Sequence, residues 1–225
     1  VGEVKIMSFW RSWGFDGKWD PDFRSIDGLY HQKYDFPPET ILSHTFFEAH
    51  PDEFYRFYHD KMLCLDAKPS SPQEIDQWER DGRLKAVITQ NIDGLHQAAG
   101  SRNVLELHGM YTVITVKNAK IFLTLLYESP MFGIPRCDTC GGVIKPDVVF
   151  MGRLDRETLE RAVSYIRQAD ILIVGGTSLV VYPAAGLSDI IKEELVLINK
   201  GTTAYDQDAQ LVISAAIGKV MEQLP

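Results

Sequence analysis

The amino-acid sequence predicts an α/β fold, in which a parallel sheet is flanked by helices and one small module is inserted. Residues 84–90, 169–176 and 194–199 are short runs rich in Val, Ile and Leu, bounded by polar or glycine residues. Such runs are typical of buried strands. A helical pattern lies between the first and the second of these runs. Strands that alternate with helices favour parallel pairing.

The helical pattern is clearest over residues 156–169, which Asp155 precedes as a candidate N-cap. Its apolar side chains share one stripe: Leu159, Ala162, Val163 and Ile166. A second helix is predicted over residues 50–63, because Pro51 suits a first-turn position and two acidic residues follow it near the positive end of the helix dipole. We expect its aromatic side chains to pack rather than to bind a ligand: Phe54, Phe57 and Tyr58.

Residues 111–136 interrupt this alternation of strands and helices. They contain a glycine, two prolines and the strand-like run YTVITV. We interpret them as part of a small inserted module.

Composition narrows the class of protein and its partners. A chain of 225 residues is long enough for one large domain with an insert, and its net charge of −8 opposes nonspecific binding to nucleic acid or to an anionic membrane. A basic peptide is a better partner. No apolar run reaches the roughly 20 residues that span a bilayer, and the first residues lack the features of a signal peptide, so we expect a cytoplasmic location.

Each of the three predicted strands ends in a polar or glycine turn: residues 89–93 (TQNID), 175–178 (GGTS) and 199–201 (NKG). The carboxyl ends of parallel strands meet at one crevice, where open α/β sheets bind ligands. The glycines of the second turn allow close approach, and Thr177 and Ser178 offer hydroxyl and N–H groups to phosphates. Each turn alone is also ordinary loop chemistry, but together they indicate a nucleotide site.

His108 is the histidine with a catalytic context. It follows the run VLEL, which reads as a strand end, and it precedes Gly109, which permits close approach of a ligand. An imidazole that titrates near neutrality is well suited to act as a general base. The remaining histidines lack this context, and we expect them to be packed or exposed: His31, His44, His50, His59 and His96.

Several segments resemble the sirtuins, which are NAD-dependent protein lysine deacylases. They are AVITQNIDGLHQAAGSRNVLELHG, CGGVIKPDVVF, ADILIVGGTSLVVYPAAG and LVLINK, with PDFRS at residues 21–25. The resemblance implies a Rossmann-like NAD domain with helices on both faces of its sheet, a smaller zinc-ribbon-like insert, and acyl-lysine bound in the cleft between them. The implied divisions are residues 1–30, 80–109 and 143–225 for the NAD domain, 31–79 for a helical insert with the cofactor loop, and 110–142 for the small insert.

The resemblance also implies roles for individual residues. Asn91 and His108 would be catalytic, with His108 accepting a ribose hydroxyl proton while the acyl group passes from lysine to ADP-ribose and nicotinamide leaves. The implied NAD contacts are Asp22, Phe23, Arg24, Gln90, Asn91, Ile92, Asp93, Gly175, Gly176, Thr177, Ser178, Asn199, Lys200 and Ile217. The implied contacts of the acetylated peptide, which would join by strand addition, are Val148, Val149, Phe150, Gly152, Leu179, Val180, Val181 and Tyr182.

Acetyl is the acyl group that the resemblance favours. Sirtuins that prefer acidic acyl chains carry a Tyr-x-x-Arg pair in an early helix, whereas here Tyr55 is followed three positions later by Tyr58.

The sequence departs from the sirtuin pattern at the glycine-rich turn that usually reads GAGIS. In its place stand Arg11, Ser12, Trp13, Gly14 and Phe15. Bulky rings do not follow a tight turn beneath a phosphate as glycine does. We nevertheless expect NAD to bind through the three strand-end turns.

A second departure concerns zinc, for which sirtuins supply two Cys-x-x-Cys pairs. Only Cys137 and Cys140 form such a pair here, and Cys64 is distant in sequence. Because a structural zinc site needs four ligands, we expect an incomplete metal site, with a disulfide or two free thiols as the alternatives.

Three functions fit the sequence. An NAD-dependent protein deacetylase is favoured by the intact TQNID run and by His108. A catalytically weak sirtuin-like peptide-binding module is favoured by residues 11–15. A generic Rossmann-type nucleotide-binding protein would remain if the resemblance misled. We predict the enzyme, acting on acetylated lysine in proteins.

Overall fold

The computed structural model of the chain contains two sheets with helices packed around them. It describes residues 6–10, 34–62, 73–116, 122–124, 133–148, 155–177, 179, 185–191, 194–221 and 223.

The strands are β1 (Ile6–Trp10), β2 (Leu84–Thr89), β3 (Val104–Glu106), β4 (Gly109–Val116), β5 (Phe122–Thr124), β6 (Ile144–Val148), β7 (Ile171–Gly175), β8 (Glu194–Ile198) and β9 (Leu211–Ile213). The α-helices are α1 (Pro38–Ile41), α2 (His44–Ala49), α3 (Pro51–Phe57), α4 (Gln73–Arg80), α5 (Leu95–Ala98), α6 (Arg156–Arg167) and α7 (Ile217–Met221). A π-helical turn spans Tyr58–Met62, and a 3-10 helix spans Ala185–Ile190.

The larger sheet has six strands in the order β3-β2-β1-β7-β8-β9, and every pair in it is parallel. This arrangement confirms the predicted parallel α/β sheet. The three apolar runs of the sequence became β2, β7 and β8, because strands buried on both faces need no polar alternation.

Successive side chains of the strands supply two separate cores. On one face, Leu172 and Val174 of β7 pack in a cluster that α6 and the 3-10 helix cover. On the other face, Ile173 packs with residues of α4 and α7, including Trp78 and Met221. The period of two residues along a strand thus places helices on both faces of the sheet.

Helix α6 begins as the sequence predicts. The Thr158 backbone N–H donates to Asp155 Oδ2 at 2.8 Å, so Asp155 is the N-cap. Ala162 and Ile166 are fully buried, and Leu159 and Val163 pack against the same core.

The aromatic side chains of α2, α3 and the π-helical turn form a third cluster, as predicted. Phe54, Phe57 and Tyr58 are buried, and Phe47 meets Phe54 edge to face with 4.9 Å between ring centroids. Pro51 occupies the start of α3, although the helix passes into the π-helical turn instead of continuing as one α-helix to residue 63.

The smaller sheet is antiparallel, in the order β5-β4-β6. The Tyr55 hydroxyl donates to the carbonyl of Ile144 at the start of β6, which ties the helical cluster to this sheet. Because β6 belongs to it, the sheet extends past residue 142, where the sequence placed the end of the insert; the domain boundaries remain predictions. Within the described residues, no helix has the length and apolarity needed to cross a membrane.

Candidate active site

The three strand-end turns lie along one edge of the large sheet. Strands β2, β7 and β8 are parallel, and β1 alone separates β2 from β7. The Gly176 N–H donates to the carbonyl of Ile198 at 3.0 Å, which joins the second turn to the end of β8. The three turns therefore lie at the carboxyl edge of one sheet, where the sequence predicted a ligand crevice.

The loop after β2 is held by its own hydrogen bonds. The Asn91 N–H donates to Thr89 Oγ1 at 3.0 Å, and the Asn91 side-chain amide donates to Asp93 Oδ2 at 3.1 Å. The other carboxylate oxygen of Asp93 accepts from the Leu95 N–H at 2.9 Å. The positive φ of Gly94, +66°, lets the chain turn into α5 at this point. These bonds fix the orientation of the Asn91 amide.

Asp93 is half-buried, and this burial raises the pKa of its carboxyl above the ordinary value, although the hydrogen bonds from Leu95 and Asn91 act in the opposite direction. A carboxyl whose charge is disfavoured in this way gains from a further donor. A ligand hydroxyl at the sheet edge would provide one.

His108 lies in the turn between β3 and β4, directly beside the end of β2. The Leu107 N–H donates to the Thr89 carbonyl at 2.9 Å, so the chain enters this turn bonded to the residue that also bonds Asn91. Burial lowers the pKa of His108 below its ordinary value. A lowered pKa favours the neutral imidazole, which is the form that can accept a proton.

The segment that would flank a peptide begins next to His108. Strand β4 starts at Gly109, and the register of the small sheet pairs Gly109 with Val148 at the end of β6. The small sheet thus places Gly109, the residue after His108, opposite Val148 from a distant part of the chain.

The end of β7 is closed by α7. A Cβ atom on Gly175 would lie 1.9 Å from Ile217 Cδ1, so the close packing of Ile217 explains the glycine. Ile217 is buried in the core under this turn. In the next segment the Leu179 N–H donates to Thr177 Oγ1 at 3.2 Å. The Leu179 side chain is buried, and its backbone has a φ of +52°.

The third turn carries Asn199 and Lys200. The Asn199 side-chain amide donates to the Gly201 carbonyl at 3.0 Å, and its N–H donates to the carbonyl of Ile213 in β9 at 3.1 Å. Lys200 is exposed at the same edge of the sheet.

Comparison with known proteins matches this arrangement to one family. The Sir2 family model aligns with residues 20–183 of the chain. A curated NAD-dependent protein deacetylase from Clostridium acetobutylicum is 51% identical over 211 residues, which are 90% of this chain and 85% of the relative. The chain belongs to the Sir2 family. A second relative, from Staphylococcus aureus strain N315, is also an NAD-dependent protein deacetylase; it is 42% identical, with 91% of this chain and 86% of the relative covered.

Solved Sir2 structures share the fold of this Sir2-family chain. A Sir2 homolog in complex with NAD superposes with a TM-score of 0.82 at 31% identity, covering 98% of this chain and 86% of that chain. A complex of Sir2 with a p53 peptide and NAD+ superposes with a TM-score of 0.78 at 31% identity, covering 98% and 91%.

Some predicted contacts of this Sir2-family chain lie outside the residues that the structure describes. They are Asp22, Phe23, Arg24, Val149, Phe150, Gly152, Ser178, Val180, Val181 and Tyr182. The altered turn at residues 11–15 also lies outside them, and so does Cys64. Their roles stay predictions.

Cys137 and Cys140 lie in a tight turn over residues 137–142, called the knuckle below. The Gly141 N–H donates to the Cys137 carbonyl at 2.7 Å, the Cys137 N–H donates to the Gly142 carbonyl at 2.8 Å, and Gly141 has a φ of +69°. Both thiols are free. The backbone N–H groups of Cys140 and Thr139 lower the pKa of the Cys137 thiol, which favours the thiolate that soft metals bind.

A four-ligand zinc site does not fit the part of the chain that is described. Cys137 and Cys140 provide two ligands, and among the described residues no three His, Cys, Asp or Glu side chains are grouped to hold a metal ion. Two thiolates make half of a tetrahedral shell.

We therefore expect less than one tightly held zinc per chain. Metal analysis of protein purified without chelator measures this, with the Cys137→Ser, Cys140→Ser double variant as the zinc-free control. A full equivalent of zinc that disappears in the double variant would contradict the expectation. It would mean that further ligands, or a second chain, complete the site.

Proposed function

We propose that this Sir2-family chain is an NAD-dependent protein deacetylase, which transfers an acetyl group from lysine to ADP-ribose and releases nicotinamide. One observation carries the proposal: half-buried His108 lies in a turn that is bonded to Thr89, the residue that also accepts from the Asn91 N–H. On the other side of His108, Gly109 pairs with Val148 at the end of β6. The curated relatives carry the same activity in their names.

NAD is consumed in this reaction, and it supplies an activated bond between nicotinamide and ribose. Gln90, Asn91, Ile92 and Asp93 would line the nicotinamide and ribose pocket. Support for this comes from the hydrogen bonds within the loop, which hold the Asn91 amide against the half-buried Asp93 carboxylate at the sheet edge. His108 would accept a proton from a ribose hydroxyl, and its lowered pKa favours the unprotonated ring that this task needs.

The other two turns would hold the remainder of the nucleotide. Half-buried Gly176 would let the nucleotide approach the backbone at the end of β7, with the N–H of Thr177 beside it, whereas Gly175 would contribute by making room for Ile217. Asn199 and Lys200 would contribute from the end of β8. Ile217 would support the pocket from below, since its side chain packs against Gly175.

The acetylated peptide would add as a strand beside β6. Strand β6 is at the edge of the small sheet, and its end at Val148 lies opposite the residue that follows His108. An edge strand offers backbone groups to an extended peptide. Leu179 would contribute through its main chain, because its side chain is buried. The net charge of −8 favours basic peptides.

Acetyl would be the preferred acyl group, and the protein would act in the cytoplasm. Tyr58 stands where an acid-selective relative would have arginine, and it is buried in the aromatic cluster with Tyr55. The two free thiols of the knuckle suit a reducing compartment.

A peptide-binding module with weak catalysis is the second candidate. Residues 11–15 favour it, because their side chains are bulky where the family has small ones. The two functions differ in their affinity for NAD.

Calorimetric titration with NAD decides between them. We expect binding through Asn91, Asp93, Ser178 and Asn199, weakened by Asn91→Ala. As a matched comparison, the turn can be restored with Arg11→Gly, Ser12→Ala, Trp13→Gly, Gly14→Ile and Phe15→Ser, which should bind NAD more tightly than the natural chain. If the folded natural chain gives no heat at millimolar NAD while the restored chain binds, the binding-module function is correct for this sequence.

A further inference from the structure

Thr89 is a polar residue at the end of an apolar strand. It is the last residue of β2, it is 1% exposed, and the strand before it is largely apolar. A buried hydroxyl costs free energy unless it is hydrogen-bonded, so a threonine in this position indicates a bond that the fold uses.

Thr89 bonds both halves of the candidate active site. Its hydroxyl oxygen accepts the Asn91 N–H at 3.0 Å, and its carbonyl accepts the Leu107 N–H at 2.9 Å. Asn91 opens the loop of the nicotinamide pocket, and Leu107 immediately precedes His108. One residue thus fixes the distance between the loop and the turn.

We propose that Thr89 is a positioning residue for deacetylation, whose hydroxyl holds the Asn91 backbone in register with the turn that carries His108. The inference rests on the proposed function. Thr89 need not touch substrate; it acts by ordering Asn91, which does.

The pairing of the strand itself is made by the main chain. Strand β2 is paired with β1 and β3 through main-chain groups, in a register that sets Thr89 opposite Trp10 and Glu106. Valine has nearly the shape of threonine and favours strands as well. A valine there would keep the main-chain bond to Leu107 and remove the hydroxyl that accepts from the Asn91 N–H.

The consequences of that loss would be confined to the loop. The Asn91 side chain would still donate to Asp93, and Asp93 would still accept from Leu95. The loop would then lose its hydrogen bond to the end of β2, and Asn91 would sample orientations that do not match the substrate. Misplaced groups reduce the rate of the chemical step more than the binding of a peptide held elsewhere.

The test compares Thr89→Val with Thr89→Ser, which keeps the hydroxyl and loses only a methyl group. Hydrogen exchange of the Asn91 amide, followed by NMR on the free protein, should be about tenfold faster in the valine variant and unchanged in the serine variant. The turnover number for acetyl-lysine peptide should fall about tenfold with valine, with little change in the KM for peptide, and serine should restore it.

Each result bears on the proposal. Unchanged exchange of the Asn91 amide in Thr89→Val, or faster exchange with an unchanged turnover number, would overturn it. If valine prevents folding, Thr89→Ala removes the same hydroxyl and is compared with serine in its place. If natural protein binds NAD but turns over no peptide, the proposed function fails and the role of Thr89 in the reaction fails with it, while the exchange data still report whether the hydroxyl orders Asn91.

Discussion

Replacing His108 with alanine is expected to lower acetyl-lysine peptide turnover by about 10²- to 10⁴-fold, the usual contribution of a general base. That factor corresponds to roughly 3 to 5 kcal/mol of barrier. The reason is that the neutral imidazole in the turn after β3 is lost as a proton acceptor, while the Leu107 bond to Thr89 and the pairing of Gly109 with Val148 are made by the main chain and remain.

Two measurements separate catalysis from packing. Peptide turnover and the thermal midpoint are determined for His108→Ala and for His44→Ala, an exposed position in α2 that serves as the matched control. A catalytic His108 changes turnover and leaves NAD affinity largely in place. Turnover that stays at the natural rate would remove the catalytic assignment, and a large fall in the midpoint of His108→Ala alone would show that the residue chiefly stabilises the fold.

Strands of the large sheet could be predicted from the sequence where burial on both faces produces a continuous apolar run. The runs that became β2, β7 and β8 are apolar because both faces of those strands are covered, and their ends fall within one or two residues of the prediction. Strand β9 was not predicted. Two of its three residues, Leu211 and Val212, are exposed at the edge of the sheet, so burial leaves no distinguishing pattern in such a short segment.

The helix predicted over residues 50–63 shows a second limit of prediction from sequence patterns. Pro51 and the acidic first turn mark its start correctly, but the change to a π-helical turn at Tyr58 has no signal in the aromatic spacing. The Tyr55 bond to Ile144 likewise joins segments far apart in the sequence. Such contacts depend on tertiary packing, which local patterns do not encode.

The convergence of the candidate site was predictable for a topological reason. Parallel strands place their carboxyl ends together, so Asn91 and Asn199 share one edge once the strands are assigned. The bond between Thr89 and Asn91 was missed, although a polar residue closing an apolar strand was a visible signal. The pairing of Gly109 with Val148 could not be found from spacing, because it crosses the inserted module.

Acidification is expected to destabilise this chain in part through His96. Its ring is buried in α5, and burial lowers its pKa to about 4. In the unfolded chain the imidazole takes up its proton near the ordinary value of about 6.5. Between these two values the unfolded state binds more protons than the native state, so the free energy of unfolding falls as the pH is lowered.

The window and size of the effect follow from the same shift. Above about pH 6.5 His96 is neutral in both states and contributes no slope, whereas across the window down to about pH 4 it removes about 3 kcal/mol of stability. Burial also lowers the pKa values of His108 and His59, so the whole protein loses stability over this range for more than one reason. A comparison of variants is needed to isolate His96.

Urea unfolding of the natural chain, His96→Gln and His44→Gln from about pH 7.5 to about pH 4.5 provides that comparison. Glutamine at position 96 keeps a polar side chain but cannot titrate, so this variant should lose less stability on acidification than the natural chain. The difference should approach about 3 kcal/mol at the acid end, and peptide turnover at neutral pH should change far less than in His108→Ala. His44→Gln, at an exposed position, should follow the natural chain.

Parallel stability curves for the natural chain and His96→Gln would show that His96 is hydrated or protonated in the native state, and that its burial in α5 does not govern acid unfolding.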